Sequence, residues 1–204
     1  MRSKSYYWII LVIVYFDASF LIGCSNSNSS IQDRIEETNR IIVLAQESIE
    51  KEDLSKVKIL VQFPESAEPK VVASLQALNE VKYDVLYNVV FSKGKPLAFI
   101  EVPFIESGDY KLIISHYFDE KGRTIAYRRK ITFFNNDCGE QPVVSEKTIY
   151  YDKNERSLLE REQLMDSEGN VIAEGKECVL NYSHNDVVFH NYKKIPFANK
   201  IFLR

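Results

Sequence analysis

The chain has 204 residues and a formal net charge of −3, so it lacks the basic footprint that nucleic-acid binding requires. Its 45% hydrophobic and 27% charged residues are ordinary for a globular chain. Twelve Tyr and twelve Phe, against seven Gly and six Pro, favour aromatic-rich strands and argue against a low-complexity body.

The first residues are laid out as an export signal. Arg2 and Lys4 form a short positive head, and Tyr6 to Phe16 is an apolar run of eleven residues. As a helix that run covers about 16 Å, roughly half of a hydrocarbon core. Extending it to Ile22 takes in Asp17, which costs roughly 2.5–3.5 kcal/mol near the centre of a span. A permanent membrane span is therefore a poor reading of this segment. The run ends in Leu21-Ile22-Gly23-Cys24, followed by the small polar stretch SNSNSS. These four residues, at the end of an apolar run, resemble the lipobox of bacterial lipoproteins. The resemblance covers residues 1 to about 30, and Asp17 departs from the uncharged pattern. It implies that the Cys24 sulfur receives a diacylglyceryl group, that a peptidase recognising Leu21, Ile22 and Gly23 cuts before Cys24, and that the new amino group takes a palmitate-type acyl chain. Two or more such chains make a stable membrane anchor. Ser25, rather than Asp, favours the outer membrane in a cell that has one. Residues 24–30 then read as a flexible tether. The bland alternative is an ordinary or uncleaved signal with an incidental Cys24.

Removing residues 1–23 leaves about 180 residues, enough for one large domain or two small ones. Cys138 and Cys178 remain as a pair in a compartment that permits disulfides. A bridge between them closes a loop of about 40 residues and stabilises by roughly 4 kcal/mol in the chain-entropy model. Two separately buried thiols are the other reading.

Residues 31–52 read as an amphipathic helix, with Ser30 as its cap and Ile31, Ile35, Thr38, Ile42, Ala45 and Ile49 on one face. Packing against the protein's own sheet is favoured over a coiled-coil seam. Period-two alternation follows at Val57, Ile59, Val61 and Phe63. A short helix is expected after Pro69. The next strand carries Val81, Tyr83, Val85, Tyr87, Val89 and Phe91 on one face. SKGKP is a turn, Leu97–Val102 a strand, and Tyr110–His116 with Ile125–Phe133 a hairpin.

The G-D-Y-x-L-x-I approach to this hairpin and its D-x-x-G turn look like the last two strands of bacterial immunoglobulin-like repeat domains, over residues 56–134. That resemblance implies a sandwich, with Tyr110 as the candidate corner tyrosine. Residues 143–204 read as an antiparallel meander, either appended or part of the same domain. YFDEKGRTI, YYDKNERSL and LMDSEGNVI are three weak copies of one pattern, read first as repeated hairpin chemistry.

Chemistry is sparse. His184, Asp186 and His190 are weak metal-ligand candidates, outweighed by the reading of surface imidazoles. Ser115 and His116 are adjacent in sequence, but neighbouring strand residues diverge, so they form no nucleophile–base pair. Arg128, Arg129 and Lys130 read as charges that keep an exposed sheet from pairing. No cofactor is expected. The expected fold class is mainly β: an immunoglobulin-like antiparallel sandwich with an appended meander and an N-terminal helix. A single long antiparallel sheet with the helix on one face is the second choice. The expected function is a membrane-anchored, extracytoplasmic, non-catalytic binding or structural lipoprotein with a protein or glycan partner. The alternative is an extracytoplasmic hydrolase or carbohydrate-active protein with dispersed acidic residues.

Overall fold

The computed structural model describes residues 26–51, 53–78, 81–134, 141–172 and 184–202. The protein is mainly β, and its strands lie in one antiparallel sheet with a long N-terminal helix on one face.

The helix α1 spans Asn26–Glu50. It starts five residues before Ile31 and takes in most of the expected tether. Ser and Asn cost only a few tenths of a kcal/mol each in a helix, roughly 0.5, and a helix already fixed by a packed face extends easily. Its buried face is close to the one expected: Ile35, Thr38, Ile41, Ala45 and Ser48 are buried, with Ile31, Ile42 and Ile49 half-buried beside them. The Ser48 hydroxyl donates back to the Leu44 carbonyl at 2.7 Å, which lets a polar residue sit on that face.

The strands are β1 (Val57–Gln62), β2 (Lys70–Val72), β3 (Val85–Ser92), β4 (Lys95–Pro103), β5 (Tyr110–Phe118), β6 (Thr124–Phe133), β7 (Val143–Tyr151) and β8 (Ser157–Met165). Their order in the sheet is β2-β1-β3-β4-β5-β6-β7-β8. From β3 onward every strand pairs with the next in sequence. Strand β2 occupies part of the segment expected to be helical, and only Leu75–Leu78 forms a short 3-10 turn. An immunoglobulin-like sandwich needs two facing sheets, whereas the eight described strands hydrogen-bond into one. Period-two alternation reports that a strand has two faces and is silent on how strands group into sheets. Tyr110 opens β5 opposite Phe133, half-buried against a cluster that includes Leu112 and Ile131.

Each face of the sheet is covered by a different part of the chain. Under α1 lies a cross-strand row from Val57 through Val90, Ala98, Tyr117, Ala126 and Tyr150 to Leu159. On the opposite face Leu60, Val89, Phe91, Phe99 and Phe118 pack against Phe189, Ile195, Ile201 and Phe202. Those four belong to the C-terminal segment 184–202. This strap includes a 3-10 turn at Tyr192–Lys194 and a short helix α2 at Ala198–Ile201. Among the described residues, the meander expected over residues 143–204 therefore contributes two strands, β7 and β8, with the irregular strap at 184–202.

Three of the hairpin turns share one construction. Asp119, Asp152 and Asp166 each accept two backbone N–H bonds on Oδ1, from the residues two and four positions on, at 2.7–3.0 Å. The residue three positions on has positive φ in each: Gly122 at 79°, Glu155 at 65° and Gly169 at 88°. The three sequence copies are thus one turn chemistry used three times. The β3–β4 turn differs, with Lys93 and Gly94 both at positive φ, as a two-residue hairpin of this twist demands.

Candidate functional site

Two features gather polar side chains. The first is an open cleft of about 740 Å³ between the N-terminal half of α1 and two hairpin turns. Asp33, Arg34 and Glu37 line it from the helix. Asp119, Glu120, Lys121 and Arg123 line it from the β5–β6 turn, and Asp152, Lys153 and Asn154 from the β7–β8 turn. Much of this charge is engaged internally. Arg123 grips Asp119 Oδ2 through Nε at 2.9 Å and Nη2 at 2.6 Å, and donates to the Lys153 carbonyl at 3.0 Å. Arg34 pairs with Glu37 at 3.0 Å. The carboxyl of Asp152 is held below its usual range by the backbone N–H of Arg156, then by that of Asn154 and the charges of Arg156 and Arg34. A carboxylate held ionised in this way binds cations and N–H donors, and does not donate a proton as a general acid does.

The second feature is a polar cluster where the strap crosses β6 and β7. Asp186 accepts Tyr127 Oη–H at 2.9 Å and Arg129 Nη1 at 2.8 Å on Oδ1, and pairs with Lys147 at 3.2 Å through Oδ2. Arg129 also reaches Glu162 at 3.1 Å, and Lys147 reaches Glu160 at 2.8 Å. Burial opposes the charge on Asp186, but the hydrogen bonds from Tyr127 and Lys147 and the charge of Arg129 outweigh it and keep its pKa below the usual value. Burial and Asp186 together push the Tyr127 phenol upward. Next to this cluster His116 is 1% exposed, with its ring between Phe99, Tyr127 and Phe189. Its Nε2 accepts the Phe189 N–H at 3.2 Å, so the imidazole is neutral, and burial depresses its pKa to about 4.

The placement of the sequence candidates follows from this. Asp186 is not brought together with His184 and His190 as a ligand set. Both its oxygens are taken by Tyr127, Arg129 and Lys147, the ring of His190 packs edge-on to Tyr151, and His184 gives its carbonyl to Arg129 at 3.3 Å. Among the described residues no group of three or more His, Cys, Asp and Glu converges. Ser115 and His116 do lie on opposite faces, Ser115 across from Arg128 and His116 across from Tyr127. The basic run on β6 is not an edge guard, because β6 lies between β5 and β7. Arg128 pairs with Glu146 on the α1 side, and Arg129 is buried on the strap side. Leu21, Ile22, Gly23, Cys24, Cys138 and Cys178 lie outside the described residues.

The chain was compared with known families and structures. No family model, curated protein or solved structure matches it. The Arg129–Asp186 pair went unread in the sequence, although a signal exists. Arg129 and Lys147 sit on the same face of adjacent strands, in positions where the pattern otherwise places apolar residues, and two such cations need a carboxylate from elsewhere in the chain.

Proposed function

We propose that the protein is a lipid-anchored, extracytoplasmic lipoprotein whose β-rich body is a non-catalytic binding or structural module. The observation that carries the reading is the leader itself: a positive head, an eleven-residue apolar run and Leu21-Ile22-Gly23-Cys24 at its end. The body supports the non-catalytic half. Of its cleft carboxylates, Asp119 and Asp152 are engaged in turn bonds and Asp119 and Glu37 in ion pairs. Glu101, whose carboxyl is raised by burial, faces Tyr87 and Ile114 across its neighbouring strands and does not line the cleft. The hydrolase alternative needs such a raised carboxyl inside a cleft, opposite a second one. The fold enters the proposal as an antiparallel sheet with an N-terminal helix; an immunoglobulin-like relationship requires a second, facing sheet. The cleft beside α1 is the surface on which a protein or glycan partner is proposed to dock. A disulfide between Cys138 and Cys178, and the outer membrane as the location in a cell that has one, belong to the same proposal.

The test is the mature protein's intact mass from its native host, with Cys24→Ala beside it. Expected is an amino terminus at Cys24 carrying diacylglyceryl and acyl mass, loss of that mass in Cys24→Ala, and a mass two hydrogens short of the free-thiol form from the Cys138–Cys178 bridge. An unmodified Cys24, or processing elsewhere, overturns the anchor.

A further inference from the structure

We propose that the α1 side of the sheet, beyond the helix, is a second docking face, and that it takes an acidic polysaccharide, a polymer that repeats carboxylates along a sugar backbone. This goes beyond the lipid anchor and does not depend on it. Pairing register defines the face. On β6 to β8 the row next to the one beneath α1 holds Arg128, Thr148 and Arg161. The following row holds Lys130 and Glu146, and the third holds Lys111 and Thr132. In these rows four cations face one carboxylate, and Arg128 claims it, because its Nη2 donates to Glu146. Lys111, Lys130 and Arg161 form no ion pair among the described residues. The opposite face shows the contrast. There Arg129 and Lys147 are each met by Asp186 from the strap and by a glutamate of β8. A partly buried cation that its own chain leaves without a carboxylate favours one brought from outside. Lys111 and Arg161 are exposed and Lys130 is half-buried, so a ligand can reach all three. Burial first, then the neighbouring charge of Arg128, holds the Lys130 amine below its usual pKa, and an arriving carboxylate relieves that cost.

The spacing selects the occupant. Lys111 and Lys130 are diagonal neighbours on β5 and β6, about 7–8 Å apart. Lys130 and Arg128 are two residues apart on one strand, roughly 7 Å, and Arg161 lies two strands from Arg128, roughly 10 Å. The cations are strung across the face instead of converging on one point, which suits charges repeated along a polymer better than a single phosphate. Strands β5, β6 and β7 are paired on both sides, so an acidic peptide finds no edge there to extend. No aromatic side chain stands in these rows of β5 to β8 for a nucleotide base to stack on. Thr132 and Gln163 place a hydroxyl and an amide on the same face, groups that can bond sugar hydroxyls.

The experiment measures binding of short polygalacturonate to the full chain in neutral detergent by calorimetry. The expected result is binding that weakens with salt, disappears when the carboxylates are methyl-esterified, and falls about tenfold in Lys130→Gln/Arg161→Gln. Lys193→Gln/Lys194→Gln removes the same charge from the strap and is expected to leave binding unchanged. No binding, equal binding of the methyl ester, or equal loss in the two double variants overturns the site. Tighter binding of polyglutamate or of phosphatidylglycerol vesicles, with the same sensitivity to Lys130→Gln/Arg161→Gln, overturns the polysaccharide as its occupant. If that double variant does not fold, amine labelling of the unsubstituted protein replaces it. Polygalacturonate is then expected to shield Lys111 and Lys130 several-fold and to leave Lys193 and Lys194 as they were; equal labelling with and without it overturns the face. Both readouts stand with or without acyl mass at Cys24, so their failure is separate from failure of the anchor.

Discussion

At the residue scale the position of positive φ in the three matching turns holds glycine in two and glutamate in the third, and that difference bears on stability. Gly122 and Gly169 meet the positive φ without strain, whereas Glu155 holds φ 65° with a side chain attached. The left-handed region costs an L-residue about 1–2 kcal/mol, of which glycine's extra unfolded freedom returns roughly 0.5–1. Glu155→Gly is therefore expected to stabilise by about 0.5–1 kcal/mol and raise Tm by roughly 1–4 °C in a thermal melt. Gly122→Ala is its counterpart. A Cβ there would overlap Cε1 of Tyr192, a residue that is also tied to Gly122 by a backbone bond of 3.1 Å. Strain and overpacking together predict a loss of about 1–3 kcal/mol in urea melts. His116 supplies a pH dependence. Its folded pKa of about 4 lies below the unfolded value of 6.5, so the unfolded chain binds the extra proton between them. The stability this group contributes is complete above about pH 6.5 and is lost as pH falls through about 4, a change of order 3 kcal/mol. The His116→Gln variant keeps an acceptor for the Phe189 N–H, and is expected to show a flatter stability–pH slope than the wild type over that window.

At the element scale the strap is the part of the fold least evident from pattern and most dependent on specific contacts. Apolar anchors such as Phe189, Ile195 and Ile201 give it area, while Asp186 gives it register on β6 and β7. Side-chain exposure of 9% at Arg129 and 17% at Asp186 leaves little water to replace a lost partner. Asp186→Asn is expected to cost about 2–3 kcal/mol, somewhat under the figure for a wholly dry pair because Glu160 and Glu162 are half-exposed. Adding Arg129→Met is expected to recover part of that loss, since it removes the uncompensated charge. Urea melts of the single and double variants check both, and a double variant no better than the single places the cost outside the ion pair. The same region shows where reading by pattern fails. Asp186 beside two histidines looks like a ligand trio in one dimension, but its partners are 57 and 39 positions away in sequence, on two different strands.

At the scale of the whole molecule, local features were legible and assembly was not. The α1 stripe from Ile31 to Ile49, the β5–β6 hairpin and its turn, and the alternation of Val57–Val61 follow from periodicity and turn residues within a few positions of one another. The grouping into one sheet depends on which faces are covered, and here both are. That is why Val89, Val90 and Phe91 are buried in succession and the period-two signal blurs in the centre of β3. The candidate cleft was equally hidden, because it joins residues 33–37 to turns near 120 and 153 only once α1 lies across the sheet.

The strap also fixes the order in which the molecule can be finished. Consecutive hairpins from β3 to β8 bring near neighbours together and can zip as they are made. The greasy side on which Phe99 and Phe118 lie takes its cover, among the described residues, from the far downstream Phe189, Ile195, Ile201 and Phe202. A chain made amino end first can therefore pair these strands before the strap that covers that side exists. Docking of the strap, rather than pairing of the sheet, closes the second half of the core.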